Sequence, residues 1–360
     1  MLNEDLMISQ KEEALFVLSK YVPLIEHKKH NKGSIGSTIS IPVFPEMLLT
    51  ALLSRTLTQL RNCKPVLNIQ PGVIVIGDLY GNLLNLIHLL SQHGMPPHQR
   101  YLFLGNIVNF GEFSLETITL VFSLLCCYPS HVHVLKGDSE QYGINVIQGL
   151  EEEITKRYQK TMLYDHFLTV FSYLPYAALF GEKILCAHSS TINSHPSMNE
   201  LKSARNPSKI SRSDEGYNSY MFDTRLPAEE RLEQIIANNA FDIILLGGNM
   251  EQNGIQSMCS DKVFAIATCE ANGAAGAMFV DGDLKLVPII FEPNSNHKRV
   301  ESSFELKERK LQNSSSNKFC HTSGNQNHPQ IIIPTLTKNG AGRSKSKTPL
   351  ANSVPLLPPF

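Results

Sequence analysis

Apolar and polar positions change their period several times along the chain. From residue 9 to 26 the apolar positions recur at helical spacing, and HKKHNKGSIGST, from His27 to Thr38, interrupts that pattern with charge and glycine. A helix followed by a polar linker is expected. A second helical run, EMLLTALLSRTLTQLRNC from Glu46 to Cys63, leads through a Pro-Gly turn into the strand-like VIVIG. From there to about Pro293 short apolar runs alternate with helical segments. They are VIVI at Val73–Ile76, YLFL at Tyr101–Leu104, HVHVL at His131–Leu135, KILCA at Lys183–Ala187, DIILL at Asp242–Leu246 and VFAIA at Val263–Ala267. This alternation predicts an α/β fold of layered sheets with flanking helices. From residue 294 to 360 Ser, Asn, Lys and Pro dominate and the alternation stops, so a disordered tail is expected.

Composition narrows the class. The 360 residues are 42% hydrophobic, enough for one large core or two smaller ones. A net charge of -1 gives no global attraction for nucleic acid or an anionic membrane, so charge effects must be local. The 7 cysteines are an odd set without a CxxC pair, and Cys126 adjoins Cys127. That usage suits a reducing compartment, and the expected location is intracellular, in cytoplasm or nucleus. The acidic, charge-interrupted N-terminus and the lack of any apolar run of about eighteen residues argue against secretion and membrane insertion.

Candidate chemistry follows the strands: GDLYG at Gly77–Gly81, GNIVNFG at Gly105–Gly111, KGDSE at Lys136–Glu140 and CAHSS at Cys186–Ser190. Polar groups presented at several strand ends converge in space, and glycine lets the backbone turn tightly around a ligand. His88, His93 and His98 lie on or after the first helix of this region and are read as surface or hydrogen-bonded residues, and Cys126 with Cys127 as packing residues.

Taken in order, these motifs resemble GDxHG, GDxVDRG, RGNHE and CxHGG of the phosphoprotein phosphatases. Over roughly Pro45–Pro293 the chain is closest to the type-1 serine/threonine catalytic subunits, with YLFLG, FSLETI, KRY, LPYAA, EKILCAH and AGAM agreeing as well. The resemblance implies a metallophosphoesterase-like four-layer fold, α/β or α+β, with a central β-sandwich flanked by helices. It divides the chain into an N-terminal helix and linker over 1–44, the phosphatase domain over 45–293 and a basic tail over 294–360. In that tail Thr348 precedes Pro349, and phosphorylation there would place about two negative charges among lysines.

The resemblance further implies two divalent metals (Mn, Fe or Zn) held by six side chains, with a bridging water as nucleophile. The six positions here are Asp78, Tyr80, Asn106, Asp138, His188 and Gly248, and only Asp78 and His188 keep the family's identity. The general acid and its orienting carboxylate fall on Ser139 and Asn109, neither of which donates a proton near neutral pH. The two phosphate-gripping arginines fall on Phe110 and Glu215. A metal-free polar cluster is the expectation, because amides bind hard cations weakly; one weak metal at Asn106, Asp138 and His188 stays open.

Three functions therefore compete: an inactive binding protein, a residual phosphoesterase resting on Asp78, Asp138, His188 and Glu140, and a regulator competing for type-1 subunits. The groove that receives regulatory or scaffold proteins in that family, by addition of an extended strand, matches Ile184, Ile243, Ser257, Leu284 and Leu286, with Asp242 beside it.

Overall fold

The computed structural model describes residues 12–30, 40–141, 149–195, 197–204, 207, 226–248, 254–269 and 274–292, all within one compact unit. Glu215 and the basic tail with Thr348 lie outside the described residues. The first helix, α1, spans Glu12–His30 and so runs into the stretch expected to be linker. The second, α2, spans Glu46–Leu60 and stops short of Cys63. Among the described residues no helix is long and apolar enough to cross a membrane.

Eleven strands follow among the described residues. They are β1 (Val66–Ile69), β2 (Val73–Ile76), β3 (Arg100–Phe103), β4 (Val132–Val134), β5 (Ala177–Phe180), β6 (Ile184–His188), β7 (Ile243–Gly247), β8 (Ile255–Met258), β9 (Val263–Ile266), β10 (Ala275–Val280) and β11 (Leu286–Phe291). One sheet has the order β1-β5-β6-β7-β9-β8 and the other β11-β10-β2-β3-β4. Alternate side chains of the two sheets meet in a shared core that includes Val73, Val75, Leu102, Phe180, Cys186, Leu245, Ile266 and Met278. That is the expected sandwich, because strands buried on both faces read as continuous apolar runs.

Helices cover both outer faces. Between β2 and β3 lies α3 (Leu83–His93), whose first turn is capped where the Asn85 amide donates to Asn82 Oδ1 at 3.0 Å. Between β3 and β4 lies α4 (Ser114–Cys127), buried along its whole length and packed against β4, α1, α2 and α3. The contact with α1 is fastened by Tyr21, which is fully buried and whose hydroxyl donates to the Glu116 carbonyl at 3.0 Å. Next come α5 (Leu150–Tyr158) and α6 (Leu163–Ser172), the first packing on α4 and the second on α2. On the other side α7 (Ser189–Ser194), α8 (Met198–Ser203) and α9 (Glu229–Asn239) bury Ile192, Leu201, Leu232 and Ile236 with outward-facing residues of the six-stranded sheet.

The two sheets are pinched together where β2 ends. A Cβ on Gly77 would lie 2.0 Å from the Ile266 carbonyl oxygen, so only glycine allows this approach. Its amide donates to Thr268 Oγ1 at 2.9 Å, and the Thr268 amide donates to the Asp78 carbonyl at 3.0 Å. The first residue of the candidate site is thereby set at the seam between the sheets.

Candidate functional site at the strand ends

Five strands deliver the site. Asp78 and Tyr80 follow β2, Asn106 follows β3, Asp138 follows β4, His188 ends β6 and Gly248 follows β7. All six are described and converge as the motif order implies. Asp78, His188, Asn106 and Asp138 are at most 3% exposed, and Tyr80 is 7% exposed.

Their bonding differs from a metal-ligand set. The Asn106 side chain is used at both ends: Nδ2 donates to the Tyr80 hydroxyl at 2.7 Å, and Oδ1 accepts the Ser139 amide at 2.9 Å. Burial raises the Tyr80 pKa beyond reach of ordinary pH, and Asp78 and other nearby anions raise it further, so it is a neutral phenol. Both carboxylate oxygens of Asp78 accept the Gly248 amide, at 2.9 and 3.0 Å. Gly248 offers no side chain. With φ of +96° and a virtual Cβ 2.1 Å from Ser189 Oγ, its position admits none.

His188 stands between the two carboxylates. Its Nε2 is 3.7 Å from Asp78 Oδ1 and its Nδ1 3.8 Å from Asp138 Oδ1. Burial of itself lowers the imidazole pKa, but Asp138, Asp78 and Glu140 outweigh it and hold the group at about 9. Its Nδ1 lies 3.0 Å from Ser190 Oγ and 3.4 Å from the Ser190 amide nitrogen, at the start of α7. Among the described residues no three His, Cys, Asp or Glu side chains have the arrangement of a metal site. An amide, a neutral phenol and a glycine among six donor positions do not fit a two-metal centre.

Glu140 holds the framework. It is fully buried and accepts three backbone amides, from Asn106 at 2.9 Å, Ile107 at 2.8 Å and Gly137 at 3.0 Å. The carboxylate therefore ties the turn after β3 to the turn after β4. Asn109 and Ser139 also come together: Asn109 Nδ2 donates to the Ser139 carbonyl at 3.3 Å, while Asn109 Oδ1 accepts the Leu150 amide at 3.1 Å. Neither holds a proton that titrates near neutrality.

Tyr80 fills space inside the site and Phe110 does not. Phe110 is 59% exposed and stands over Tyr80 edge-to-face, with ring centroids 5.1 Å apart. The groove residues separate as well. Ile184 is buried, Ile243, Leu284 and Leu286 pack half-buried on the core between the sheets, and Ser257 is exposed with its hydroxyl on Asp261. Asp242 is exposed and pairs with Lys183 at 3.5 Å. Sequence reasoning missed Ser189 and Ser190, although the signal was present: CAHSS places two serines where the resembled motif has two glycines.

Comparison with known proteins bears on the fold and the family. The chain is 25% identical over 248 residues to the serine/threonine-protein phosphatase PP1-delta of Caenorhabditis elegans, covering 63% of this chain and 81% of that one. It is 26% identical over 259 residues to the serine/threonine-protein phosphatase 6 catalytic subunit of the same organism, covering 66% and 78%. A solved protein serine/threonine phosphatase from Saccharomyces cerevisiae, with similarity to human phosphatase PP5, shares the fold at a TM-score of 0.62 and 19% identity, over 70% of this chain and 91% of that one. The profile of the calcineurin-like phosphoesterase family matches residues 72–275, from the turn before β2 to the start of β10, and so spans every strand end that builds the site. By that match this chain belongs to the calcineurin-like phosphoesterase family.

Proposed function

We propose that the protein is a serine/threonine-phosphatase-like pseudophosphatase, inactive in phosphoester hydrolysis and acting by binding other proteins inside the cell. The observation that carries this reading is the Asn106 side chain, spent on Tyr80 Oη and the Ser139 amide at the position where the resemblance requires a metal-bridging carboxylate. The two positions where the resemblance places the general acid and its orienting carboxylate carry Ser139 and Asn109, which hold no proton that titrates near neutrality. No resident metal is proposed. Partners would be regulatory or scaffold proteins of the type-1 phosphatase kind, supported by the apolar surface at Ile243, Leu284 and Leu286. The test is hydrolysis of p-nitrophenyl phosphate and phosphoprotein with excess manganese, beside metal analysis of the purified chain by mass spectrometry. Background turnover and substoichiometric metal are expected.

A residual metal-dependent phosphoesterase is the second reading, favoured by the contact of Asp78, His188 and Asp138. Turnover that disappears in Asp138→Ala would establish it and overturn the first.

A further inference from the structure

We propose that the surface beside the strand-end centre, formed by Phe110, Glu112 and α5, binds a cationic segment of a partner protein, with an arginine side chain laid against the Phe110 ring. This rests on the reading of the centre as non-catalytic and names the chemistry of its partner. The Phe110 backbone has φ of +59°, an unfavourable conformation for a bulky residue. The surroundings hold it there: a Cβ on the next residue, Gly111, would come 2.2 Å from the Tyr80 carbonyl oxygen, so the turn is pressed onto Tyr80. An aromatic ring is thus presented to solvent from a fixed support. The binding entropy of ordering it has already been lost in folding.

Beside the ring lies a cavity of about 450 Å³, lined also by Glu112, Glu152, Glu153, Lys156 and Arg157. Its two cations are engaged. Arg157 Nη1 contacts the buried Glu116 at 2.6 Å, and Lys156 contacts Glu152 at 2.6 Å. Glu153 is engaged too, its two oxygens accepting the Ser114 and Leu115 amides at the start of α4, at 2.9 and 3.1 Å. Glu112 is exposed and forms no ion pair among the described residues. An incoming anion would meet Glu112 and cations already paired. An incoming cation would meet an aromatic face and a carboxylate. Arginine suits the pair better than lysine, because its planar guanidinium stacks on a ring while its edge donates to a carboxylate.

The test uses the full-length chain and three labelled peptides of equal length, one with spaced arginines, one with lysines and one with phosphoserines, read by fluorescence polarisation. The arginine peptide is expected to bind, the lysine peptide several-fold more weakly, and the phosphoserine peptide not at all. Phe110→Ala should weaken arginine-peptide binding about fivefold, and Glu112→Lys at least as much. Glu233→Lys, an exposed charge reversal on α9, should leave it unchanged and so controls for net charge. Both test side chains are exposed, and circular dichroism confirms that the variants fold. Absent binding, equal loss in Glu233→Lys, indifference to Phe110→Ala and Glu112→Lys, or tighter binding of the phosphoserine peptide each overturn the proposal. Since no turnover is read, a failure here is separable from hydrolysis that would overturn the non-catalytic reading.

Discussion

The Ser189 hydroxyl and the backbone of Gly248 interlock: a Cβ at residue 248 would stand 2.1 Å from Ser189 Oγ. The two positions are therefore coupled, and a side chain at one requires its absence at the other. Gly248→Ala should destabilise the chain by about 1–3 kcal/mol through overpacking, with added strain from the positive φ. Ser189→Gly should restore a substantial part of that loss in the double variant. Thermal melts of the four proteins in the cycle decide the matter, and additive effects would separate the two positions.

Glu140 makes a second prediction. Its replacement by alanine leaves three buried amides without acceptors, each costing about 1–3 kcal/mol, so Glu140→Ala should lose about 3 kcal/mol or more in denaturant unfolding. Glu140→Gln keeps the shape and one carbonyl oxygen, and should fall between. A loss below about 1 kcal/mol for alanine would mean that water replaces the carboxylate.

Chelation provides the third. The strand-end turns are held by Glu140, Asn106 and the Gly248 amide on Asp78. EDTA should leave the melting temperature unchanged, whereas a bound metal would stabilise by mass action and its removal would lower the midpoint by several degrees. A drop of that size sinks the metal-free reading.

The acid limb of stability provides the fourth. Burial, with Arg100 and His131 close by, pushes the His133 pKa down to about 4. An unfolded histidine titrates near 6.5. The contribution is thus fully present above about pH 6.5 and lost as pH falls toward 4. His133→Gln should flatten the melting-temperature profile over that window, and an unchanged slope would assign the acid limb to other groups.

Much of this was legible in the sequence, for a physical reason. Strands β2, β3, β6, β7 and β9 are apolar on consecutive positions because they lie inside the sandwich. β8, with the sequence IQSM, and β11, which carries Pro288, escaped notice because each is an edge strand with part of its surface in solvent. β1, with the sequence VLNI, is interrupted by Asn68, and β5, with the sequence AALF, opens on two alanines, so neither stands out as a run of strand-forming residues. At the site, the residues and their convergence were readable from motif order. Hydrogen-bond pairing was not, because nothing in the sequence says that Asn106 reaches Tyr80 at one end and Ser139 at the other. Nor does it say that Phe110, an apolar residue within a buried turn, faces solvent.

The pairing of β2 with β10 joins Ile76 to Ala277, roughly 200 residues later in the chain. During synthesis β2 can pair with β3 as soon as α3 has emerged, but its other edge stays open until β10 leaves the ribosome. At about 5–20 residues per second that interval lasts on the order of 10–40 s. Throughout it, one apolar edge at the seam of the sandwich is available to any other strand. A stop codon placed before residue 275 should accordingly yield aggregate rather than a smaller folded domain.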